Sequence, residues 1–265
     1  MRETLHFAHG NGFPSPCYRQ LLNALEVQFD CCYIDRVGHN ADYPVTDNWH
    51  YLVHEVIESI KTQATQPVIA VGHSLGGVLS FLAAIEQPSL FKSVILLDSP
   101  LMGRSKSTLI HFFKSLGLID HITPAKRTRG RRQHWSSREQ VLSYLQDKPL
   151  FKHFTEACLN DYIDYGLQYD SQLGYSLRFD SEIEYQIFRT IPHVLYQYEG
   201  KLHRPVRLIY GNKSNVIDRL DLNYMKNQYE IAPYQINGTH MFPMECPEAT
   251  AKLIVEVVGS LHLDH

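Results

Sequence analysis

Val68-Ile-Ala-Val-Gly-His-Ser-Leu-Gly-Gly77 is a short apolar run, introduced by Pro67, that breaks into a serine framed by glycines. Val68 to Val71 has the length and β-branched content of a buried strand, and Phe81 to Ile85 downstream reads as the body of a helix. A serine hydroxyl is a weak nucleophile at neutral pH, and to attack a carbonyl it must stand exposed in a tight turn beside a general base. Gly-x-Ser-x-Gly between strand and helix provides that turn, because Gly72 and Gly76 remove side chains that would collide around it. The amide of Leu75 then lies at a helix N-terminus, where negative charge is favoured. Ser74 is read as a candidate nucleophile, against the plainer reading of a serine in a packing turn.

Outward from this stretch the chain alternates. Thr4 to Ala8 is a strand ending in His9-Gly-Asn-Gly12, Tyr18 to Gln28 carries leucines at helical spacing, and Cys31 to Ile34 is a second short strand ending in DRVGH. Asn48 to Lys61 is the clearest helix, with Trp49, Leu52, Val53, Val56, Ile57 and Ile60 on one face and Thr46 and Asp47 as N-caps. Val94 to Leu97 is a further strand, closing on Asp98-Ser-Pro100. Between Leu101 and Leu202 the rhythm changes to helical segments, Leu109 to Leu116, Arg138 to Gln146 and Phe154 to Tyr165, with no strand of comparable strength. Strand and helix resume at Val206 to Tyr210, Tyr229 to Ile236 and Pro247 to Val258. Such alternation predicts an α/β fold, a mostly parallel sheet covered on both faces. Residues 1–100 and 203–265 form its core, and residues 101–202 a helical insertion over the sheet ends.

Composition narrows the partners. A chain of 265 residues with 44% hydrophobic content can bury one substantial core, and a formal net charge of -3 leaves no nucleic-acid footprint. The five cysteines are odd in number and irregularly spaced, which favours a reduced protein over a disulfide scaffold. No signal-peptide pattern opens the chain and no stretch approaches the roughly 20 apolar residues of a membrane span, so the expectation is a soluble, cytoplasmic protein.

A serine nucleophile needs a base and an oxyanion hole. Asn237-Gly-Thr-His240 follows the last strand and precedes the closing helix, and His240 alone of the 15 histidines is so placed. His9, His39 and His73 also flank turns near the sheet edge and are read as loop-shaping residues. The second oxyanion donor should come from the loop after an early strand, and the amide of Asn11 is the candidate.

HGNGFP, DRVGH, GHSLGG, LLDSP and GTHMFPMECP follow one another in the order of the loops of the α/β-hydrolase superfamily, and the chain resembles that family over nearly its whole length. The resemblance implies a Ser, acid, His order and makes Leu101 to Leu202 a cap over the site. Two leading antiparallel strands of many relatives have no counterpart, so about six strands are expected.

The acid departs from the common pattern. In many members it lies on the loop after the strand at Val206 to Tyr210, where this chain has Ser214 and Asn215, neither able to carry charge. Asp98 is the favoured acid, a position some relatives use; Asp218, with helix capping its simpler role, and no acid at all are the alternatives. The expected function is hydrolysis of a small ester or related acyl compound through an acyl-enzyme. C–C bond hydrolase and thioesterase chemistry stay open on the same scaffold, as does a ligand-binding protein of little turnover. No metal or organic cofactor is expected, on the ground that no ligand-spaced histidines stand out. Lys126, Arg127, Arg129, Arg131 and Arg132 are read as a solvated loop, with recruitment of an anionic substrate the sharper alternative.

Overall fold

The computed structural model describes residues 2–261; residue 1 and residues 262–265, the outer ends of the two expected core segments, lie outside the described residues. Strands β1 (Glu3–Ala8), β2 (Phe29–Tyr33), β3 (Val68–His73) and β4 (Phe91–Leu97) come first along the chain. Strands β5 (His134–Trp135), β6 (Leu167–Asp170) and β7 (Gly174–Leu177) form a small antiparallel sheet. Strands β8 (Val206–Gly211) and β9 (Ala232–Ile236) then complete a six-stranded sheet of order β2-β1-β3-β4-β8-β9, parallel throughout. From β1 the chain moves to one side to make β2 and then crosses back to make β3. The carboxyl ends of β1 and β3 therefore border the crevice in which open sheets of this kind receive ligands.

Helices α1 (Arg19–Leu25), α2 (His50–Gln63) and α3 (Leu75–Glu86) precede the stretch between β4 and β8, which holds α4 (Arg104–Ser115), α5 (Ala125–Arg129), α6 (Arg138–Gln146), α7 (Glu156–Gly166) and α8 (Ser181–Arg189). Helices α9 (Arg219–Tyr229), α10 (Phe242–Glu245) and α11 (Pro247–Leu261) follow it. Side chains alternate across a strand, and that alternation sorts the core into two layers. Ile69, Val71, Ile95, Leu97 and Ile209 pack with Leu21 and Leu25 of α1 and Ile254 and Val258 of α11. Val68, Ala70, Val94, Leu96 and Leu208 face Val56 of α2, Leu79 of α3 and Met225 of α9. Each of the Val, Leu, Ile and Met side chains among them, fully buried, contributes about 1.5–3 kcal/mol.

Three details differ from the sequence reading. Helix α2 starts at His50, and neither Thr46 nor Asp47 caps it through a side chain. Asn48 and Trp49 instead take left-handed backbone angles (φ 62° and 61°), held by Asn48 N–H to Thr190 O (2.9 Å) and the Trp49 indole N–H to Ile187 O (3.0 Å). These partners belong to residues far along the chain, so helical spacing alone could not reveal the shift. The second difference is the small sheet: its strands are two to four residues long, too short for a periodicity to register. The third is Tyr229, which ends α9 rather than opening a strand, because Glu230 turns left-handed (φ 55°) and caps the helix. No helix among the described residues is long and apolar enough to cross a membrane.

Candidate active site

The turn after β3 is closed by contacts that only glycine allows. A Cβ on Gly76 would lie 2.1 Å from the carbonyl oxygen of Ala8, and one on Gly72 would lie 2.4 Å from the backbone of Gly76 and Gly77. Within that turn Ser74 adopts φ 53°, ψ -113°, a strained geometry for a non-glycine residue. Its N–H donates to Leu97 O (2.9 Å) and the Gly76 N–H to His9 O (3.1 Å), which ties the turn to the ends of β4 and β1. Ser74 is part-exposed, and Leu75 opens α3. The amides of Leu75 and Asn11 make no hydrogen bond among the described residues, leaving two donors on the crevice-side loops.

His240 follows β9 and reaches the end of β4, where its Nδ1 lies 2.7 Å from Asp98 Oδ2. Asp98 is fully buried and the His240 side chain 23% exposed, so the pair has one end sealed and the other open to the crevice. Facing a carboxylate, Nδ1 carries the proton and Nε2 is left as the acceptor. Asp98 also accepts from the Gly211 amide at Oδ1 (3.0 Å) and from Ser214 Oγ at Oδ2 (2.5 Å), which satisfies a charge that burial alone would make costly. No hydrogen bond joins Ser74 Oγ to His240 Nε2 among the described residues, and such contacts often tighten only when substrate binds.

The alternative acid lies elsewhere. Asp218 caps α9, accepting from the amides of Leu220 (2.9 Å) and Asp221 (3.0 Å), and pairs with Lys106 (2.7 Å), which together hold its carboxyl below the usual range.

Of the three loop histidines, His9 accepts from the Val37 amide (2.8 Å) and donates to Gly10 O (2.8 Å), and burial pushes its pKa down to about 4. His39 spans Val37 O (3.1 Å) and the Asp180 amide (3.0 Å). His73 does more than shape its turn. The Gly10 N–H donates to Tyr18 Oη (3.2 Å), Tyr18 O–H donates to His73 Nδ1 (2.7 Å), and His73 Nε2–H donates to the carbonyl oxygen of His240 (2.9 Å). Burial, with the neighbouring His240 ring 4.8 Å away, holds the His73 pKa well below its ordinary value. This chain escaped the sequence reading because Tyr18 sits 55 residues from His73 and carries no motif.

The basic cluster divides. Arg129 stacks on Tyr185 (5.0 Å) and Arg132 on Trp135 (5.7 Å), and Lys126 and Arg127 are exposed. Arg131 points inward and approaches the buried Glu184 at 2.6 Å, so it is not part of a solvated loop. Elsewhere, a cleft of about 480 Å³ lies between β2 and α2; Glu55 lines it, its carboxyl raised to about 7 by burial, and neither Ser74 nor His240 does. His50 and His54 stand four residues apart on α2 with Glu86 beside them, their ligand atoms within 4.8 Å. The sequence does therefore hold one ligand-spaced histidine pair, contrary to the ground on which no metal was expected. It lies at the Glu86 end of α3, whereas Ser74 precedes the other end.

A six-stranded parallel sheet with a strained serine turn after β3 and a histidine-carboxylate pair across the ends of β9 and β4 is the architecture of an α/β hydrolase. The chain belongs to the alpha/beta hydrolase family, whose sequence profile matches residues 7–253. It is similar to the uncharacterized hydrolase YugF of Bacillus subtilis (strain 168), at 26% identity over 97% of this chain and 90% of that protein. Human monoglyceride lipase is 31% identical over 38% of this chain and 36% of its own length. Among solved structures, E-2-(acetamidomethylene)succinate hydrolase superposes with a TM-score of 0.76 at 21% identity, covering 97% of this chain and 91% of the other.

Proposed function

We propose that this hydrolase cleaves small ester or related acyl substrates by a serine mechanism. Ser74 Oγ attacks the carbonyl while His240 Nε2 takes its proton; Asp98 keeps the Nδ1 proton in place and stabilises the imidazolium. The amides of Leu75 and Asn11 receive the oxyanion, His240 returns the proton to the leaving alcohol, and water activated by His240 releases the acyl group. Residues 101–202 act as the cap. In support of that role, Phe151, Phe154 and Tyr162 from the insertion pack on Phe13 just beyond the Asn11 loop, with ring centroids 5.1–6.3 Å from it.

The observation that carries the reading is the 2.7 Å contact of His240 with a fully buried Asp98, since a charge sealed from water and aimed at a histidine is what sets a base. It also weighs against a non-catalytic ligand binder, the reading supported by the lack of an acid after β8. A fluorophosphonate probe should label the wild type and leave Ser74→Ala unlabelled. Wild type that does not react, under conditions where other serine hydrolases do, rules the mechanism out.

A further inference from the structure

Beside the loop that supplies the Asn11 amide, Asn11 Oδ1 is buried without a hydrogen-bond partner, and so, on the Glu184 that packs against this loop and the Arg131 that faces Glu184, are Glu184 Oε2, Arg131 Nε and Arg131 Nη2. Arg131 Nη2 and Glu184 Oε2 approach to 2.6 Å, yet neither atom is in hydrogen-bonding geometry, so the charges face each other without forming the usual fork. Glu184 is pinned close to the loop. Its backbone carbonyl accepts from Asn11 Nδ2 (3.0 Å), and a Cβ on Gly12 would lie 2.7 Å from its Oε1. Burial raises the Glu184 carboxyl above its ordinary range and Arg131 pulls it back. Tyr162, which packs on Phe13, lies within the field of both charges.

A buried ion pair adds little stability over an apolar replacement, and one that leaves the guanidinium Nε unpartnered is a poor fastener. Nε and Nη2 form the edge of a guanidinium that takes the two oxygens of a carboxylate side by side. That edge is buried, with Nε unpartnered and Nη2 held only by the Glu184 carboxylate, which itself lies against Gly12 beside the candidate oxyanion donor Asn11. Resting on the serine-hydrolase reading, we propose that Arg131 is the receptor for a free carboxylate carried by the substrate, and that Glu184 is the internal stand-in which the substrate displaces. The preferred substrates are then esters with an anionic group, and Asn11 Oδ1 is free to accept from a donor on the same substrate.

Glutarate serves as the binding probe, and mono-p-nitrophenyl glutarate against a neutral p-nitrophenyl ester of similar length as the kinetic pair. A charge-assisted fork is worth about tenfold or more in affinity. The wild type should therefore favour the anionic ester by about tenfold in kcat/KM. Glu184→Gln, which keeps the shape and removes the competing charge, should lower KM for that ester. A merely structural pair gives no such gain. Arg131→Gln alone strands a buried carboxylate, so the paired Arg131→Gln/Glu184→Gln variant is the informative loss, and its preference should fall to about one. Arg132→Gln, on an exposed arginine, should leave the ratio as it is. Glutarate should raise the Tm of Ser74→Ala and leave that of Ser74→Ala/Arg131→Gln/Glu184→Gln unmoved. No preference in the wild type, no fall in KM in Glu184→Gln, or no shift in Ser74→Ala overturns the proposal. Failure of fluorophosphonate labelling sinks the serine mechanism instead, while the glutarate shift still decides the carboxylate site.

Discussion

Ser214 Oγ donates a 2.5 Å hydrogen bond to Asp98 Oδ2, the same oxygen that faces His240 Nδ1. The loop after β8, where the family resemblance implies an acid, thus reaches the buried carboxylate of Asp98 instead. A serine there hydrogen-bonds the buried carboxylate at the end of β4, and the Gly211 amide completes the shell.

Asp98→Asn should reduce kcat by about 10⁴-fold, because an amide facing Nδ1 favours the wrong tautomer of His240. Ser214→Ala should cost far less, about tenfold. Since the two side chains touch, Asp98→Asn/Ser214→Asp should recover at least about tenfold over the single variant by moving the acid to the β8 loop. Turnover of a short p-nitrophenyl ester measures all three, and an Asp98→Asn enzyme at wild-type rate removes Asp98 from the machinery.

Two glycines separate local propensity from close approach. Gly76→Ala drives a methyl to 2.1 Å from a backbone oxygen, and neither partner can yield, so a loss on the order of 3 kcal/mol or more is expected. Gly259 lies exposed inside α11 with nothing within 4 Å of its Cβ position. Gly259→Ala should gain about 0.5–1 kcal/mol. Urea unfolding of both variants tests the contrast.

Much of this could be read from the chain because its signals are local. Val68 to Val71 followed by GHSLGG needs only neighbours to specify strand, turn and helix, and the position of His240 after the last strand follows from counting elements. Asp98 could be named as a candidate beside Asp218 only through the family resemblance, because Ser214 and Asn215, at the position where that resemblance implies an acid, cannot ionise. What stayed hidden depends on partners distant in sequence: Glu184 is 173 residues from Asn11, and the left-handed turn at Asn48 is held by Thr190. Arg131 looked like one of five similar charges, and only packing distinguishes it from Arg132. The pair His50 and His54, by contrast, is local, its i, i+4 spacing written in the sequence itself.

Buried histidines, His6 and His9 among them and His73 besides, set a pH dependence of stability. Burial lowers His6 to about 3 and His9 to about 4, against 6.5 when unfolded. Below about pH 6.5 the unfolded chain takes up protons that the folded chain refuses, so stability present above that pH is lost as pH falls towards those values. The loss should be on the order of 1 kcal/mol per histidine between about pH 6.5 and about pH 5.5. His6 lies away from the candidate site, bonded to Ser59 (2.9 Å), so His6→Gln should flatten the slope by roughly one proton. Urea midpoints across this range provide the check; a slope unchanged in His6→Gln contradicts the assignment.

Tyr18 is the remaining test, because it joins the two loops that the mechanism brings together. Its hydroxyl accepts from the Gly10 amide and donates to His73 Nδ1, which leaves the His73 proton on Nε2, directed at the His240 carbonyl. Tyr18→Phe keeps the ring against Phe7 (centroids 4.8 Å apart) but strands a buried N–H and a buried imidazole nitrogen, at a cost of about 1–3 kcal/mol. The consequence for turnover is separate from that cost. With Nδ1 no longer receiving a proton, His73 can adopt the other tautomer, which turns a lone pair on the His240 carbonyl and loosens the segment carrying the base. A fall in kcat of about tenfold with KM little changed is expected, since transition-state alignment suffers more than ground-state binding. Equal kcat in Tyr18→Phe and wild type, at a temperature where both are folded, means that the chain from Gly10 to His240 serves packing alone.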